Sequence, residues 1–193
     1  MSASISTPVG PVVAGDIGSR RSMAFATVGD TTNVTSRLQA LTREFIGFYR
    51  EDIARDSKPF PGAEDALTAL AGLGARLAIC TNKRTDLSVQ LLEALGLAQR
   101  FAAIVGADAV AERKPHPDHY TAAVERAGGA VQRSLMVGDT AADVAAARGA
   151  GAPVIAVAFG YSDVSAESLG ADALLRQFSD LAPVSRRLLA ARP

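Results

Sequence analysis

From Arg76 onward, short apolar runs alternate with longer amphipathic stretches, and this alternation constrains the fold more than any other feature of the chain. The runs are Arg76 to Cys80, Ala103 to Gly106, Ser134 to Val137, Val154 to Ala158 and Ala171 to Leu175. Near-continuous apolar runs of this length read as strands buried on both faces. Between them the spacing predicts helices at Asp86 to Leu95, Asp118 to Ala127, Ala141 to Ala150 and Gln177 to Ala191, several followed by a helix-ending Gly. Strands joined by helical crossovers run parallel, so the predicted fold class is α/β, a doubly wound parallel sheet.

Composition sets the outer bounds. A chain of 193 residues that is 48% hydrophobic can bury one principal core. Twenty basic side chains balance twenty acidic ones, which argues against nucleic-acid or anionic-membrane partners. Cys80 is the single cysteine and sits in an apolar run, so it reads as a buried hydrophobe in a reducing cytoplasm. The N-terminus lacks a basic start and an apolar core, and the uncharged region near Gly149 to Ser162 is too short to span a bilayer, so a soluble cytoplasmic protein is expected.

The first third is organised differently. Val12 to Ala14 and Ala24 to Val28 read as two short strands of a hairpin with a turn near Ser19 to Ser22. A helical stripe follows, carried by Val34, Leu38, Leu41, Phe45 and Phe48. The breaker cluster Ser57-Lys-Pro-Phe-Pro-Gly62 separates it from a helix near Glu64 to Leu73.

Three motifs follow predicted strand ends, where doubly wound sheets keep their ligands. Thr81-Asn82-Lys83 offers a hydroxyl and backbone N–H groups at a strand-to-helix junction, which suits an anion, although a Thr cap without ligand uses the same residues. Arg113-Lys114-Pro115-His116-Pro117 holds one ammonium between restricting prolines. Gly138-Asp139-Thr-Ala-Ala-Asp143 places two carboxylates one helical turn apart, which suits Mg²⁺, a hard cation that takes oxygen ligands. His116 and His119 lie close together in the sequence and read as surface residues rather than metal ligands.

In this order the motifs resemble the last three of the haloacid dehalogenase-like phosphatases, and within them the phosphoglycolate phosphatase branch. Phe60-Pro-Gly62, Cys80-Thr-Asn-Lys83, Glu112-Arg-Lys-Pro-His-Pro117, Val137-Gly-Asp-Thr140 and Gly160-Tyr161 carry the resemblance, over about residues 45–185. It implies a Rossmann-like sheet, a small phosphorylated metabolite as substrate, and Mg²⁺ as cofactor. Thr81 and Asn82 would contact the phosphoryl group, Lys114 would neutralise its charge, and Asp139 would bind the metal with Asp143 helping directly or through water. Positioning and charge neutralisation of this kind do most of the work in phosphoryl transfer.

The family's first motif, Asp-x-Asp-Gly-Thr, supplies a nucleophile and a general acid, and that string is not found in the chain. The nearest stand-ins are Asp30, after Thr27-Val-Gly29, and Asp16, after Val12-Val-Ala-Gly15; neither has an Asp two positions later. Residues 9–43 instead resemble the closing part of class III adenylate and guanylate cyclase domains, through Gly10-Pro-Val-Val-Ala-Gly-Asp-Ile-Gly-Ser19 and Thr27 to Leu38. That resemblance makes Asn33 and Arg37 the nucleotide-orienting positions.

The organisation expected from sequence is therefore a cyclase-like fragment over 1–44, followed by an incomplete phosphatase core over 45–193 that lacks most of its cap. The family's first strand would lie between the strands ending at Cys80 and Val137. Either Val12 to Ala14 or Ala24 to Val28 fills that slot, or the unpaired edges leave the fold loosened and prone to form homo-oligomers. The expected function is a phosphatase of the phosphoglycolate type, weak or inactive without its nucleophile. The alternatives are a non-catalytic phosphate- and Mg²⁺-binding module and a partial cyclase. The sequence leaves the substrate open, because the cap selects it.

Overall fold

The structure is a computed structural model, and it describes residues 10–15, 44, 46–47, 50, 53–55 and 57–191. Its six strands are β1 (Val12–Gly15), β2 (Arg76–Cys80), β3 (Ala103–Val105), β4 (Ser134–Gly138), β5 (Val154–Val157) and β6 (Ala173–Leu175). The helices fully within the described residues are α1 (Ala63–Gly72), α2 (Thr85–Ala94), α3 (Pro117–Arg126), α4 (Ala141–Gly149) and α5 (Leu181–Ala190). One sheet holds all six strands in the order β3-β2-β1-β4-β5-β6, and every pairing is parallel. This is a doubly wound sheet, as the alternating runs predict.

The vacant slot between β2 and β4 is filled by Val12 to Gly15. Val13 pairs with Leu77 on one side and with Leu135 on the other, and Gly15 pairs with Ile79 and Val137. The alternative occupant of the slot, residues 24–28, lies outside the described residues. The sheet thus draws on both sides of the boundary placed between residues 44 and 45. β1 is the middle strand of the sheet, and the two inner edges that would have been left open are paired.

Strand side chains alternate between two helical layers. Val12, Ala14, Ala78, Cys80 and Met136 pack against Tyr120, Ala123 and Val124 of α3 and Val144, Ala146 and Ala147 of α4. Val13, Leu77, Leu135 and Ile155 face the opposite way, onto Ala66 and Leu70 of α1 and Leu181 at the start of α5. Glu64 and Asp65 in the first turn of α1 oppose its positive end. Gly74 and Gly128, two residues beyond α1 and α3, take positive φ of 76° and 74°, which lets each helix stop and the chain turn into the next strand. Ile53 packs with Leu87 and Leu91 of α2, so the segment before the Pro-rich breaker is seated on that helix.

In this strand order the direction of winding reverses at β1 and β4, and the crevice beyond their C-terminal ends is where such sheets bind ligands. Thr81, Asp139 and the residue after Gly15 follow directly on β2, β4 and β1.

Candidate active site

Lys114 stands at the centre of this crevice. Its ammonium is 2.6 Å from Asp143 Oδ1 and 2.7 Å from the carbonyl oxygen of Cys80, the last residue of β2. The two charged side chains are 1% and 0% exposed. A charge this deep is tolerable only when paired and hydrogen-bonded, and both conditions hold. The backbone of Lys114 is held as well, since its N–H donates to His119 Nδ1 at 3.1 Å and its C=O accepts from Asn82 Nδ2 at 2.9 Å. The Lys114–Pro115 peptide is cis.

Thr81 is 2% exposed. Its N–H donates to the Val105 carbonyl at 3.0 Å, and its hydroxyl accepts from the Lys83 N–H at 3.2 Å. Asn82 is exposed, and the amide group expected to face a phosphoryl group donates instead to Lys114.

The two aspartates divide the work. Both oxygens of Asp143, which is fully buried, are committed. Oδ1 meets Lys114, while Oδ2 accepts from the backbone N–H of Asp139 at 3.2 Å and Thr140 at 3.0 Å, and from Thr140 Oγ1 at 2.7 Å. Thr140 and Asp143 form the capping box that starts α4. Gly138 is required beneath it, because a Cβ there would lie 2.6 Å from Asp143 Oδ2. Asp139, 8% exposed, accepts the Tyr161 N–H on Oδ2 at 2.7 Å and has no ion-pair partner among the described residues. Gly160 lets that loop approach, since a Cβ on it would lie 2.6 Å from the same oxygen. The loop is braced by aromatic rings, Phe60 to Tyr161 at 5.6 Å, Phe60 to Phe159 at 5.4 Å and Phe159 to Phe178 at 4.9 Å.

A nearly buried carboxylate with no ion-pair partner among the described residues is the part of this crevice that fits a metal. Among the described residues no cluster of three or more His, Cys, Asp or Glu side chains forms a complete cage. Mg²⁺ suits such a place, because it retains several waters and commonly binds through one or two carboxylates plus substrate phosphate.

Asp16, Asp30, Asn33 and Arg37 lie outside the described residues. Sequence reasoning missed His119, which is not a surface residue. It is 0% exposed and connects Lys114 to Val105, with Nε2 3.1 Å from the Val105 carbonyl. His116 is exposed and caps α3, accepting the Asp118 N–H at 3.3 Å. The capping box was legible as Thr140-Ala-Ala-Asp143 before an apolar stretch, whereas nothing local marks His119.

The sequence profile described as haloacid dehalogenase-like hydrolase matches residues 15–157, from the end of β1 to the end of β5. The chain belongs to that family. Relatives named phosphoglycolate phosphatase include one from Agrobacterium fabrum, 46% identical over 146 residues, covering 76% of this chain and 63% of the relative. Another, from Caulobacter vibrioides, is 43% identical over 154 residues, covering 80% and 65%. The chain therefore spans a little under two thirds of the length of these curated relatives. A crystal structure described as a predicted phosphoglycolate phosphatase from Haemophilus somnus superposes with a TM-score of 0.73 at 28% identity, covering 78% of this chain and 67% of that one. Among the described residues no helix is long and apolar enough to cross a membrane.

Proposed function

We propose that this haloacid dehalogenase-like chain transfers phosphoryl groups from small phosphate monoesters with Mg²⁺, using Asp16 as nucleophile, and that it turns over alkyl esters slowly. The observation that carries the reading is the buried Lys114 ammonium fixed at the strand ends between Cys80 and Asp143, with Asp139 following directly on β4. Fixed positive charge in a low-dielectric crevice stabilises charge that develops on phosphoryl oxygens.

Asp16 is preferred to Asp30 because it is the next residue after Gly15, the last residue of the central strand β1. Its carboxylate oxygen attacks phosphorus, the bond to the ester oxygen breaks, and the leaving alkoxide needs a proton. Two positions after Asp16 stands Gly18, which has no acid to supply that proton. General-acid help contributes roughly 10²- to 10⁴-fold, so esters with poor leaving groups suffer most. Thr81 and the Lys114 ammonium hold the phosphoryl oxygens, while Asp143 holds Lys114 and the start of α4. Asp139 would hold Mg²⁺, which supplies further positive charge to the transferring group. The relatives named phosphoglycolate phosphatase support a small phosphorylated acid as the natural class of substrate.

The test compares hydrolysis of p-nitrophenyl phosphate, whose leaving group needs no acid, with that of 2-phosphoglycolate. The expected result is Mg²⁺-dependent release of nitrophenol, lost in Asp139→Asn, with phosphoglycolate slower by at least about a hundredfold. Mg²⁺-dependent phosphate binding without turnover of either ester would replace this reading by a non-catalytic binding module.

A further inference from the structure

We propose that His119 is a positioning residue that locks Lys114 and Thr81 to one common point, the carbonyl of Val105. The reading rests on the phosphoryl-transfer role of those two residues. Lys114 follows β3 by a loop and Thr81 follows directly on β2, so their relative placement depends on whatever joins the two segments.

Beside the hydrogen bonds from Asn82 to the Lys114 carbonyl and from the Lys114 ammonium to Cys80, one join runs through His119 as a short chain of hydrogen bonds. The Lys114 N–H donates to His119 Nδ1 at 3.1 Å, His119 Nε2 lies 3.1 Å from the Val105 oxygen, and the Thr81 N–H donates to that same oxygen at 3.0 Å. A carbonyl oxygen has two lone pairs, so Val105 can serve both donors. A backbone N–H can only donate, which leaves Nδ1 without a proton and puts the ring hydrogen on Nε2, where it donates to Val105. Both ring nitrogens are spent on residues of the site, and the ring is fully buried.

The surroundings support this neutral tautomer. Burial pushes the imidazole below its ordinary value of 6.5, and the Lys114 and Arg126 cations push the same way, against the Val105 hydrogen bond and the Asp143 carboxylate. The side chain of Asn82 holds the Lys114 carbonyl from the other direction, so the Lys114 peptide is fixed on both sides.

Two substitutions separate the halves of the ring. In His119→Asn the side-chain oxygen takes the place of Nδ1 and retains an acceptor for Lys114, but nothing reaches Val105. In His119→Gln the side-chain nitrogen takes the place of Nε2 and retains a donor for Val105, but the acceptor for Lys114 is lost. One readout is the ¹⁵N NMR signal of the Lys114 ammonium, which senses Cys80 and Asp143 directly and needs no activity. A second is the affinity for inorganic phosphate with Mg²⁺, by calorimetry on the full chain. His119→Gln is expected to displace or broaden the Lys114 signal and weaken phosphate about tenfold or more, whereas His119→Asn leaves the signal in place and weakens phosphate less. Equal loss of thermal stability in both variants, with the Lys114 signal and phosphate affinity unchanged, would overturn the proposal. Should either variant fail to fold, ring ¹⁵N shifts of the wild-type chain decide. A neutral ring protonated at Nε2 supports the proposal, and a ring protonated at Nδ1 near pH 7 overturns it. Failure of the wild-type chain to bind phosphate would count against the phosphoryl-transfer reading, while the Lys114 signal would still report on positioning.

Discussion

Replacing Lys114 by Met removes the ammonium and keeps most of the side-chain volume, so the change isolates a charge rather than a cavity. The ammonium lies 2.6 Å from Asp143 Oδ1, with both side chains at 1% exposure or less. Three donors remain on Oδ2, from Asp139, Thr140 and the Thr140 hydroxyl, but among the described residues Lys114 is the ion-pair partner of Asp143 and its loss leaves the carboxylate without one. Breaking a buried pair from one side costs about 3–5 kcal/mol, because the other charge is stranded. For a chain of this size each kcal/mol moves the midpoint by about 2–4 °C, so thermal unfolding of Lys114→Met should shift down by roughly 6–20 °C. Adding Asp143→Asn removes the stranded charge while keeping an acceptor for the backbone donors. The double variant should therefore be less damaged than the sum of the singles, with a coupling of roughly 2 kcal/mol. Urea unfolding of all four proteins gives that cycle. A loss below about 1 kcal/mol for Lys114→Met, or strict additivity, would refute the argument, since either would mean that the pair is not desolvated as described.

Gly160→Ala should cut Mg²⁺ affinity while leaving the fold intact, because its Cβ would press on the Asp139 carboxylate; calorimetric titration with Mg²⁺ checks this, and unchanged affinity would count against Asp139 as the ligand. Thr140→Ala removes the cap of α4 and should cost about 1 kcal/mol in urea unfolding. Stability should also fall on acidification through His119. Its folded-state value lies below the ordinary 6.5, so under about pH 6.5 the unfolded chain takes up a proton that the native chain refuses, and the slope should flatten in His119→Asn. Asp86, held down chiefly by its hydrogen bond to Arg84, acts with the same sign but only near and below 3.8, outside the window that reads His119.

The parallel sheet was legible because its strands are buried on both faces. Leu77 to Cys80 and Leu135 to Val137 are apolar throughout, and this signal is local. That Lys114 and Asp139 lie beyond strand ends was legible for a related reason, since Asp139 directly follows an apolar run and Lys114 stands before the breaker Pro115. The place of β1 was legible only as one of two options, because strand pairing between Val13 and Leu77 is decided by the unfilled slot and not by anything within Val12 to Gly15. The contact of Asp143 with Lys114 and the contacts of His119 were not legible. A carboxylate saturated by Lys114 and Thr140 has the same letter as one waiting for a metal. His119 acquires its role from a carbonyl on β3, which lies before the Arg113-Lys114-Pro115 loop and carries no side-chain signal.

The most direct test of the whole account is to find the covalent phosphoryl adduct. The chain is incubated with p-nitrophenyl phosphate and Mg²⁺, quenched, reduced with borohydride so that an acyl phosphate becomes homoserine, and mapped by peptide mass spectrometry. The account predicts homoserine at position 16, absent when Mg²⁺ is chelated. Homoserine at position 30 instead, or turnover with no adduct on any aspartate, would contradict it.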